Sequence, residues 1–427
     1  MKILIKNGRL IDPGTKTDAT LDVLIADGRI AEISAGIKTG GAPDIIDARG
    51  LVVCPGFIDM HVHLREPGQE YKETIESGSK AAVHGGFTSI ACMPNTSPVN
   101  DNLSIVKQVI TRAREVGLLN VFPVAAVTKN LAGKEPADME ELVKAGVVGF
   151  SDDGRCVMNA GLMRQALIKA GKLNVPVIQH PEDHTLSGDG QVNEGLVSFR
   201  LGFKGIPGIS EDVITARDII LQEDTGAQLH LTHISTAGSV ALIRGAKKEK
   251  IKVTADVTPH HLLLNEEAVT RTGTEYKVKP PLRTEADRLA LVKGIRDGTI
   301  DCIASDHAPH AADEKDKKFE DAPFGIIGME TSFPLIYDRV VRNKIITLNR
   351  MIELFSTNPA RILNLRDRGL VKPGFPADLT ILDLSETFEI TPDYFYSKAA
   401  NCPFIGWQGQ GVVAYTIVNG KVVYKRQ

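Results

Sequence analysis

Cysteine is scarce in this sequence, and long apolar runs are absent. The five cysteines are scattered over 427 residues, and no Cys-x-x-Cys pair occurs among them. An odd number of isolated cysteines argues against a disulfide framework and is typical of a reducing compartment. No stretch approaches the roughly 20 consecutive apolar residues of a membrane span, and the apolar run at the start is too short for a signal peptide. We therefore expect a cytoplasmic protein that does not contact a membrane.

A strong excess of one charge is also missing. The formal net charge is -3, and 24% of the residues are charged. This balance gives no reason to expect nucleic acid or an anionic membrane as a partner. The chain does have 42% hydrophobic residues, which is enough for the sizeable core of a globular enzyme.

Strand-like runs alternate with helix-like patterns through the middle of the chain. Eight strand-like runs are recognisable: Phe57–His63, Phe87–Met93, Asn120–Thr128, Val147–Asp153, Val175–His180, Gln228–Ile234, Lys252–Thr258 and Ile300–His307. The helical patterns between them include Thr74–His84, Ile209–Glu223, Glu285–Asp297 and Leu348–Phe355. Eight strand–helix units predict an α/β fold with a closed (β/α)8 barrel of the TIM type over residues 56–364. An open doubly wound sheet is the alternative, although no Gly-x-Gly-x-x-Gly motif opens the first unit.

Both ends of the chain have the pattern of short strands joined by tight turns. Asp27-Gly28 and Asn419-Gly420 each separate two β-type runs, which is a hairpin signal. Since neither end alone buries much, we predict that residues 1–55 and 365–427 form one small β-sandwich domain together. All eleven histidines lie between positions 61 and 310, so we expect the chemistry in the barrel and a scaffold role for the ends.

Histidines stand at the ends of three predicted strands. His61 and His63 end the first run, where side chains at i and i+2 share one face. His180 closes the fifth run, where a hydrogen-bonded core histidine is the ordinary alternative. Two imidazoles on one face at a strand end can bind one metal ion.

The sixth run contains two histidines, of which only one can face the lumen. Alternation puts His233 on the face of Leu229 and Leu231, and it puts His230 on the other face. His233 stands at the carboxyl end of the strand, so we expect it to be the ligand. His230 is then expected to pack or bond outside the lumen.

Two carboxylate positions complete the set of candidate ligands. Asp306 ends the eighth run, and Asp152-Asp153 ends the fourth, where capping of the next helix is the alternative role. Potential ligands at the ends of five strands would converge on one rim, where active sites of this barrel lie. Nitrogen and oxygen ligands without cysteine suit zinc, with manganese or cobalt as alternatives. Metals that share a carboxylate can activate water, so the pattern predicts hydrolysis of an amide, ester or phosphate.

Six motifs carry a resemblance to the amidohydrolase superfamily that covers nearly the whole chain. They are Pro55–Arg65, Met93–Thr96, Phe150–Gly154, Ser305–His310, Ala322–Gly325 and Ser356–Ala360. The arginine of the first motif and the set as a whole are similar to the longer, bacterial-type dihydroorotases. Related hydantoinases, dihydropyrimidinases and allantoinases bridge their metals with a carboxylated lysine on the fourth strand. This chain has Asp152-Asp153 there and no lysine.

The resemblance implies a zinc site with one or two ions. The implied ligands are His61, His63 and Asp306 for one ion, His180 and His233 for the other, and Asp153 as the bridge. The implied reaction is the reversible closure of N-carbamoyl-L-aspartate to L-dihydroorotate in pyrimidine synthesis. Asp306 is implied as the catalytic proton carrier between the attacking water and the ring nitrogen.

The resemblance also implies the substrate contacts. Arg65 can bind the substrate carboxylate in bidentate fashion, and the family adds Asn95, His310 and backbone groups at Phe324 and Gly325. One position departs from the family, because Lys279 stands where an asparagine contacts substrate. Lysine only donates and carries charge, so it either pairs with the carboxylate or swings out.

Several alternatives remain open at this point. A hydrolase of hydantoin or allantoin would require the fourth-strand lysine and would leave Arg65 and His310 together without a reason. A non-catalytic partner of aspartate transcarbamoylase would be expected to have lost ligands. The polar stretch 311–321 is either a mobile loop over the site or an ordinary exposed loop. A homodimer and a complex with aspartate transcarbamoylase are both compatible with the family.

Overall fold

Two large sheets organise the chain in the computed structural model, which describes residues 2–39 and 42–426. The strands are β1 (Lys2–Asp12), β2 (Thr17–Ala26), β3 (Arg29–Ser34), β4 (Asp44–Asp47), β5 (Val52–Pro55), β6 (Phe57–Val62), β7 (Phe87–Cys92), β8 (Asn120–Ala125), β9 (Gly149–Phe150), β10 (Val177–Gln179), β11 (Val192–Asn193), β12 (Gly205–Ile206), β13 (Leu229–Leu231), β14 (Val253–Val257), β15 (Cys302–Ile303), β16 (Leu379–Glu389), β17 (Gln408–Val418) and β18 (Lys421–Lys425).

Helices fill the connections between the barrel strands. The α-helices are α1 (Ile75–His84), α2 (Leu103–Val116), α3 (Met139–Ala145), α4 (Ala160–Leu173), α5 (His184–Ser187), α6 (Leu196–Leu201), α7 (Ile209–Thr225), α8 (Ala237–Lys248), α9 (Pro259–Leu263), α10 (Glu285–Asp297), α11 (Ala312–Lys315), α12 (Met329–Ile336), α13 (Leu348–Ile352) and α14 (Asn358–Ile362). Within the described ranges, none of them combines the length and apolar character needed to cross a membrane.

The second sheet is a closed parallel barrel. Its strand order is β6-β7-β8-β9-β10-β13-β14-β15, and every neighbouring pair is parallel. A parallel bridge between Val62 of β6 and His307, which lies shortly after β15, brings the last unit of the barrel back to the first strand. The predicted (β/α)8 barrel is confirmed, each of the eight predicted strands is present, and the open doubly wound sheet is excluded.

Helix α10 shows how the local sequence sets an element's limits. Thr284 caps its start, because its side chain accepts from the backbone of Asp287 while the Asp287 carboxylate accepts from the backbone of Thr284. Gly298 ends the helix with a φ of 82°, a left-handed conformation that glycine adopts without a Cβ penalty. The predicted range Glu285–Asp297 is therefore confirmed at both ends.

The chain ends form one hydrogen-bonded sheet of eight strands, β1 to β5 and β16 to β18. The predicted hairpins at Asp27-Gly28 and Asn419-Gly420 are confirmed as the β2–β3 and β17–β18 turns. Ile5 of β1 and Ile381 of β16 lie in one apolar cluster, so the two chain ends share a core, and their strands form one connected sheet. The division of the chain into 1–55, 56–364 and 365–427 stays a prediction.

Aromatic packing anchors the first barrel strand to the outer layer. Phe57 is fully buried, and its ring centroid lies 6.1 Å from that of Phe87, 5.8 Å from Phe333 and 5.2 Å from Phe355. These rings come from β6, β7, α12 and the π-helical segment Glu353–Thr357. The cluster therefore holds the first strand, which carries two candidate ligands, in a fixed position.

We expect Phe57→Ala to lower the free energy of unfolding by about 3–5 kcal/mol, because it opens a cavity among aromatic rings. Urea denaturation followed by circular dichroism measures the change. Phe199→Ala is the matched control, since the Phe199 side chain is 87% exposed. Equal midpoints for the two variants would show that the aromatic cluster does not stabilise the barrel.

Candidate active site

The six side chains predicted as metal ligands meet at the mouth of the barrel, and Asp153 lies at their centre. Oδ1 of Asp153 is 3.3 Å from Nε2 of His61, 3.7 Å from Nδ1 of His180 and 3.6 Å from Nε2 of His233. Its other oxygen, Oδ2, is 3.5 Å from Nε2 of His63. One carboxylate therefore faces all four imidazoles, which is the position a bridging ligand needs.

Asp306 completes a second group of ligands on the other side of His61. Its Oδ1 lies 3.2 Å from Nε2 of His63 and 3.5 Å from Nε2 of His61. Two sets could hold a metal ion, His61 with Asp153 and His233, and His61 with His63 and Asp306. In each set the ligand atoms lie within 4.8 Å of one another. The second set coincides with the implied first metal site.

The donor atoms fit a cation because several of them lack any other partner. Nε2 of His61 and Oδ1 of Asp153 are buried without a hydrogen bond. Nδ1 of His180 and Nε2 of His233 lie 2.9 Å apart, so their lone pairs face each other unless a proton or a metal ion lies between them. Buried unpaired polar atoms are costly, and one or two metal ions would satisfy all of these atoms.

In His61 and His63, the ring nitrogen that points away from the cluster is fixed by a hydrogen bond, and this bond sets the tautomer of the ring. Nδ1 of His61 lies 2.8 Å from Oγ1 of Thr232, whose hydroxyl donates to Asp256. Nδ1 of His63 lies 2.8 Å from Oδ1 of Asn95. Such bonds turn the opposite ring nitrogen towards the ion and orient the ring.

His180 is oriented in the same way by a residue that the sequence analysis missed. Its Nε2 lies 3.1 Å from Oε2 of Glu182. Glu182 stands two residues after His180, and Asp256 is the one carboxylate in the apolar run of β14. Asp256 was visible in the sequence as a lone acid within a strand, and Glu182 as an acid two residues after a candidate ligand, with Asp183 directly after it.

The electrostatics of the cluster favour a positive ion. Burial alone would lower the pKa of His61, but the carboxylates of Asp153 and Asp306 raise it to about 10. Burial alone would raise the pKa of Asp153, yet the facing imidazoles, His61 foremost, hold it well below its usual range. The facing carboxylates therefore favour a positive charge among the imidazoles, and a metal ion supplies such a charge.

The faces of the sixth barrel strand, β13, differ from the prediction. Leu231 pairs with Gln179 of β10, and Nε2 of Gln179 donates to Asp218 of α7. Directly paired residues share a face, so Leu231 and Leu229 point to the helices and His230 points into the lumen. The prediction that placed His230 outside the lumen is wrong.

His233 reaches the site because its backbone leaves the strand conformation. Strict alternation would point its side chain to the helices, but its φ is 39°. Asp306 and Arg65 also have positive φ values, 48° and 62°. Non-glycine residues adopt this left-handed backbone region at an energetic cost, and residues in such strained conformations cluster at functional sites. At these three residues the backbone turns the side chain in a direction that the strict alternation of a strand does not predict.

A pocket of about 380 Å³ opens over the ligand cluster. Its lining contains every predicted ligand except the deeper His61 and every predicted substrate contact: Arg65, Asn95, Lys279, His310, Phe324 and Gly325. Nε of Arg65 donates to the carbonyl of Pro309 at 3.2 Å. Burial and the neighbouring Arg65 lower the pKa of His310 to about 3, although its two ring nitrogens face oxygen acceptors on Glu314 and Phe324.

Lys279 is held at the edge of this pocket by an ion pair. Its Nζ lies 3.0 Å from Oε1 of Glu182, the same carboxylate that orients His180. The side chain also lies over the ring of Phe324, with Nζ 5.5 Å from the centroid. Lys279 therefore does not swing out of the site in this structure.

The backbone of Gly325 is already occupied by contacts within the protein. Its N–H donates to the carbonyl of Lys277 at 2.9 Å, and its carbonyl accepts from Lys315 at 2.9 Å and from Asn401 at 3.1 Å. In this conformation Gly325 has no unpaired backbone group for the ring amide, contrary to the expectation from the resemblance. The stretch 311–321 is anchored rather than simply exposed, because Lys315 and Phe319 are buried.

Comparisons with known proteins match the whole chain. A family model described as dihydro-orotase-like matches residues 50–239, and one described as amidohydrolase family matches residues 305–424. Proteins named dihydroorotase from Geobacter metallireducens and Syntrophus aciditrophicus are 49% and 48% identical to this chain, and each alignment covers 100% of both sequences. The chain belongs to the dihydroorotase family.

Solved structures with the same fold include hydantoinases. An L-hydantoinase (dihydropyrimidinase) from Arthrobacter aurescens superposes with a TM-score of 0.89 at 26% identity, over 99% of this chain and 96% of that one. A D-hydantoinase matches with a TM-score of 0.85 at 24% identity over 100% and 95%, which supports the fold alone. This member of the dihydroorotase family is therefore a hydrolase that acts on cyclic amide bonds.

We expect Asp153→Ala to lose bound metal and metal-dependent turnover while the fold remains, because the central carboxylate is the one that faces all four imidazoles. Metal content after dialysis, measured by plasma mass spectrometry, checks this together with far-ultraviolet circular dichroism. Asp218→Asn is the control, since Asp218 is also fully buried but bonds to Gln179 and Arg217 outside the cluster. Wild-type metal content in Asp153→Ala would contradict the bridging role.

Proposed function

We propose that this chain catalyses the reversible closure of N-carbamoyl-L-aspartate to L-dihydroorotate with one or two zinc ions. The proposal rests on one observation, which is that a single pocket combines a cluster of metal ligands with two cationic side chains. The buried cluster consists of four histidines and two aspartates, and the cationic side chains are Arg65 and Lys279 above it. Hydrolysis of a ring amide needs the metal-ligand cluster, and recognition of an anionic ring needs the cationic side chains.

Zinc is proposed because the ligand set holds only nitrogen and oxygen donors in a buried, preorganised site. His61, His63 and Asp306 would hold one ion, and His180 and His233 the other, with Asp153 between them. When bound, zinc supplies Lewis-acid polarisation of the ring carbonyl and of the attacking water. Even without an ion, the imidazoles of His61 and His63 oppose the effect of burial and lower the pKa of Asp306, which favours its ionised form.

Asp306 is the residue proposed to move the proton. In the direction of hydrolysis its carboxylate accepts a proton from the attacking water and delivers it to the departing ring nitrogen. The same residue returns the proton in the direction of ring closure, as microscopic reversibility requires. Its place at the end of the eighth strand, 3.2 Å from His63, puts it on the side of the cluster that lines the pocket.

The substrate carboxylate is proposed to bind at the other end of the pocket. Arg65 is buried and can donate two parallel hydrogen bonds to a carboxylate. His310 and the amide of Asn95 line the same space, and Lys279 adds a second positive charge. The pocket volume of about 380 Å³ suits a single small ring. For Phe324 and Gly325 the proposed contact to the ring amide would require their present hydrogen bonds to exchange.

The remaining proposals concern the setting of the enzyme. The absence of a disulfide pattern in the sequence supports a cytoplasmic location. A homodimer and a complex with aspartate transcarbamoylase are compatible with membership of the family and stay predictions.

The central test is an assay of the zinc-reconstituted protein with dihydroorotate, hydantoin and allantoin side by side. We expect hydrolysis of dihydroorotate alone, because the other two rings lack the carboxylate that Arg65 and Lys279 would bind. Removal of metal with a chelator should abolish the activity, and added zinc should restore it. Hydrolysis of allantoin without hydrolysis of dihydroorotate would refute the proposal.

Lys279→Asn tests the departure from the family at this position. We expect a KM for dihydroorotate raised by about tenfold, because one charge that faces the substrate carboxylate is lost, and a smaller change in kcat. Steady-state kinetics measure both. Lys204→Asn is the control, since Lys204 is exposed and pairs with Asp189 at the surface. An unchanged KM in Lys279→Asn would show that Lys279 does not contribute to substrate binding.

A further inference from the structure

One buried amide from the C-terminal part of the chain joins two loops of the pocket. Asn401 lies in the connection between β16 and β17, residues 390–407, and only 8% of it is exposed. Its Oδ1 accepts from the backbone N–H of His310 at 3.3 Å. Its Nδ2 donates to the carbonyls of Ala308 at 3.2 Å and Gly325 at 3.1 Å.

The two loops that Asn401 joins are the walls around the proposed carboxylate site. The first loop carries His310 itself and Pro309, whose carbonyl accepts from the Arg65 guanidinium at 3.2 Å. The second loop carries Phe324, whose carbonyl oxygen lies 2.9 Å from Nε2 of His310. A change in the distance between the loops would therefore move Arg65 and His310 together.

The connection that carries Asn401 is itself tied to the barrel. The backbone N–H of Tyr396 donates to Glu330 at 2.7 Å, and that of Lys398 donates to Glu73 at 3.3 Å. Glu73 and Glu330 are both buried. Asn401 is thus presented to the pocket from a fixed support, and an amide is suited to the place because it both donates and accepts.

We propose that Asn401 is a positioning residue for substrate binding, which sets the spacing between the Ala308–His310 loop and the Phe324–Gly325 loop. It acts through Arg65 and His310 and touches neither the metal ligands nor the reacting atoms. The inference rests on the proposed function. It also corrects the sequence-based expectation that the chain ends are only a scaffold, since this residue of the C-terminal zone holds the substrate pocket together.

The test compares Asn401→Ala with wild type in steady-state hydrolysis of dihydroorotate. We expect KM to rise by about tenfold or more and kcat to change by less than about threefold, because ground-state binding is lost while the metal cluster is intact. Bound zinc, measured by plasma mass spectrometry, should be unchanged. Asn358→Ala is the matched control. Asn358 is also a buried amide, but it donates to the backbone carbonyl of Asp301, directly before β15 and at the end of that strand opposite to the pocket. A purely structural effect would lower the thermal midpoint of both variants and leave both KM values alone.

A double-mutant cycle separates action through Arg65 from general loosening. If Asn401 acts through Arg65, then Asn401→Ala should raise KM much less in an Arg65→Gln background than in wild type. Asn401→Asp serves if the alanine variant does not fold, since it keeps the acceptor for His310 and loses both donors, and it should also raise KM. Full additivity, or a wild-type KM in the folded variant, would overturn the inference. Absence of dihydroorotate turnover in the wild-type protein would instead overturn the proposed function, and the inference with it.

Discussion

The burial of two carboxylates among four imidazoles is the constraint on which the rest of the site depends. Asp153 and Asp306 are 3% and 9% exposed, and removing such charges from water is costly unless an opposite charge compensates. The imidazoles supply that charge only by taking up protons, whereas a divalent ion supplies it and leaves the rings neutral. The cluster is stable when it holds cations, and the barrel supplies rigid strand ends that keep the ligands together.

The polar layer below the cluster explains how the ligands keep their orientation. Asp256 accepts from the hydroxyl of Thr232 and lies 2.8 Å from Nε2 of His230, and it also accepts from the backbone N–H of His233. This single carboxylate therefore sets the tautomer of His61 through Thr232 and the backbone position of His233. His230 faces the lumen and helps to hold the ligands in place, and this network supplies a hydrogen-bond partner for its buried ring.

The sequence predicted the parts of this site that depend on local pattern. The eight strands, the limits of α10 and the strand-end positions of His61, His63 and Asp306 follow from periodicity and capping. The orientation of His233 could not be predicted in this way, because a φ of 39° is imposed by its surroundings and has no signal in the alternation of residues. Asn401 was missed for a similar reason. Nothing in the neighbouring sequence indicates that Asn401 contacts two loops 76 to 93 positions earlier, since only the closed fold brings them together.

Lys279 and Glu182 are best understood as a compensated pair. Glu182 is 5% exposed, and one of its oxygens orients His180. The other oxygen lies 3.0 Å from the ammonium group of Lys279, at the position where the resemblance implies an asparagine. That charge stabilises Glu182 as a carboxylate, and an ionised Glu182 is the stronger acceptor for the outward nitrogen of His180. A substrate carboxylate that approaches Lys279 must therefore compete with Glu182, so substrate binding and the orientation of a metal ligand are linked through one side chain.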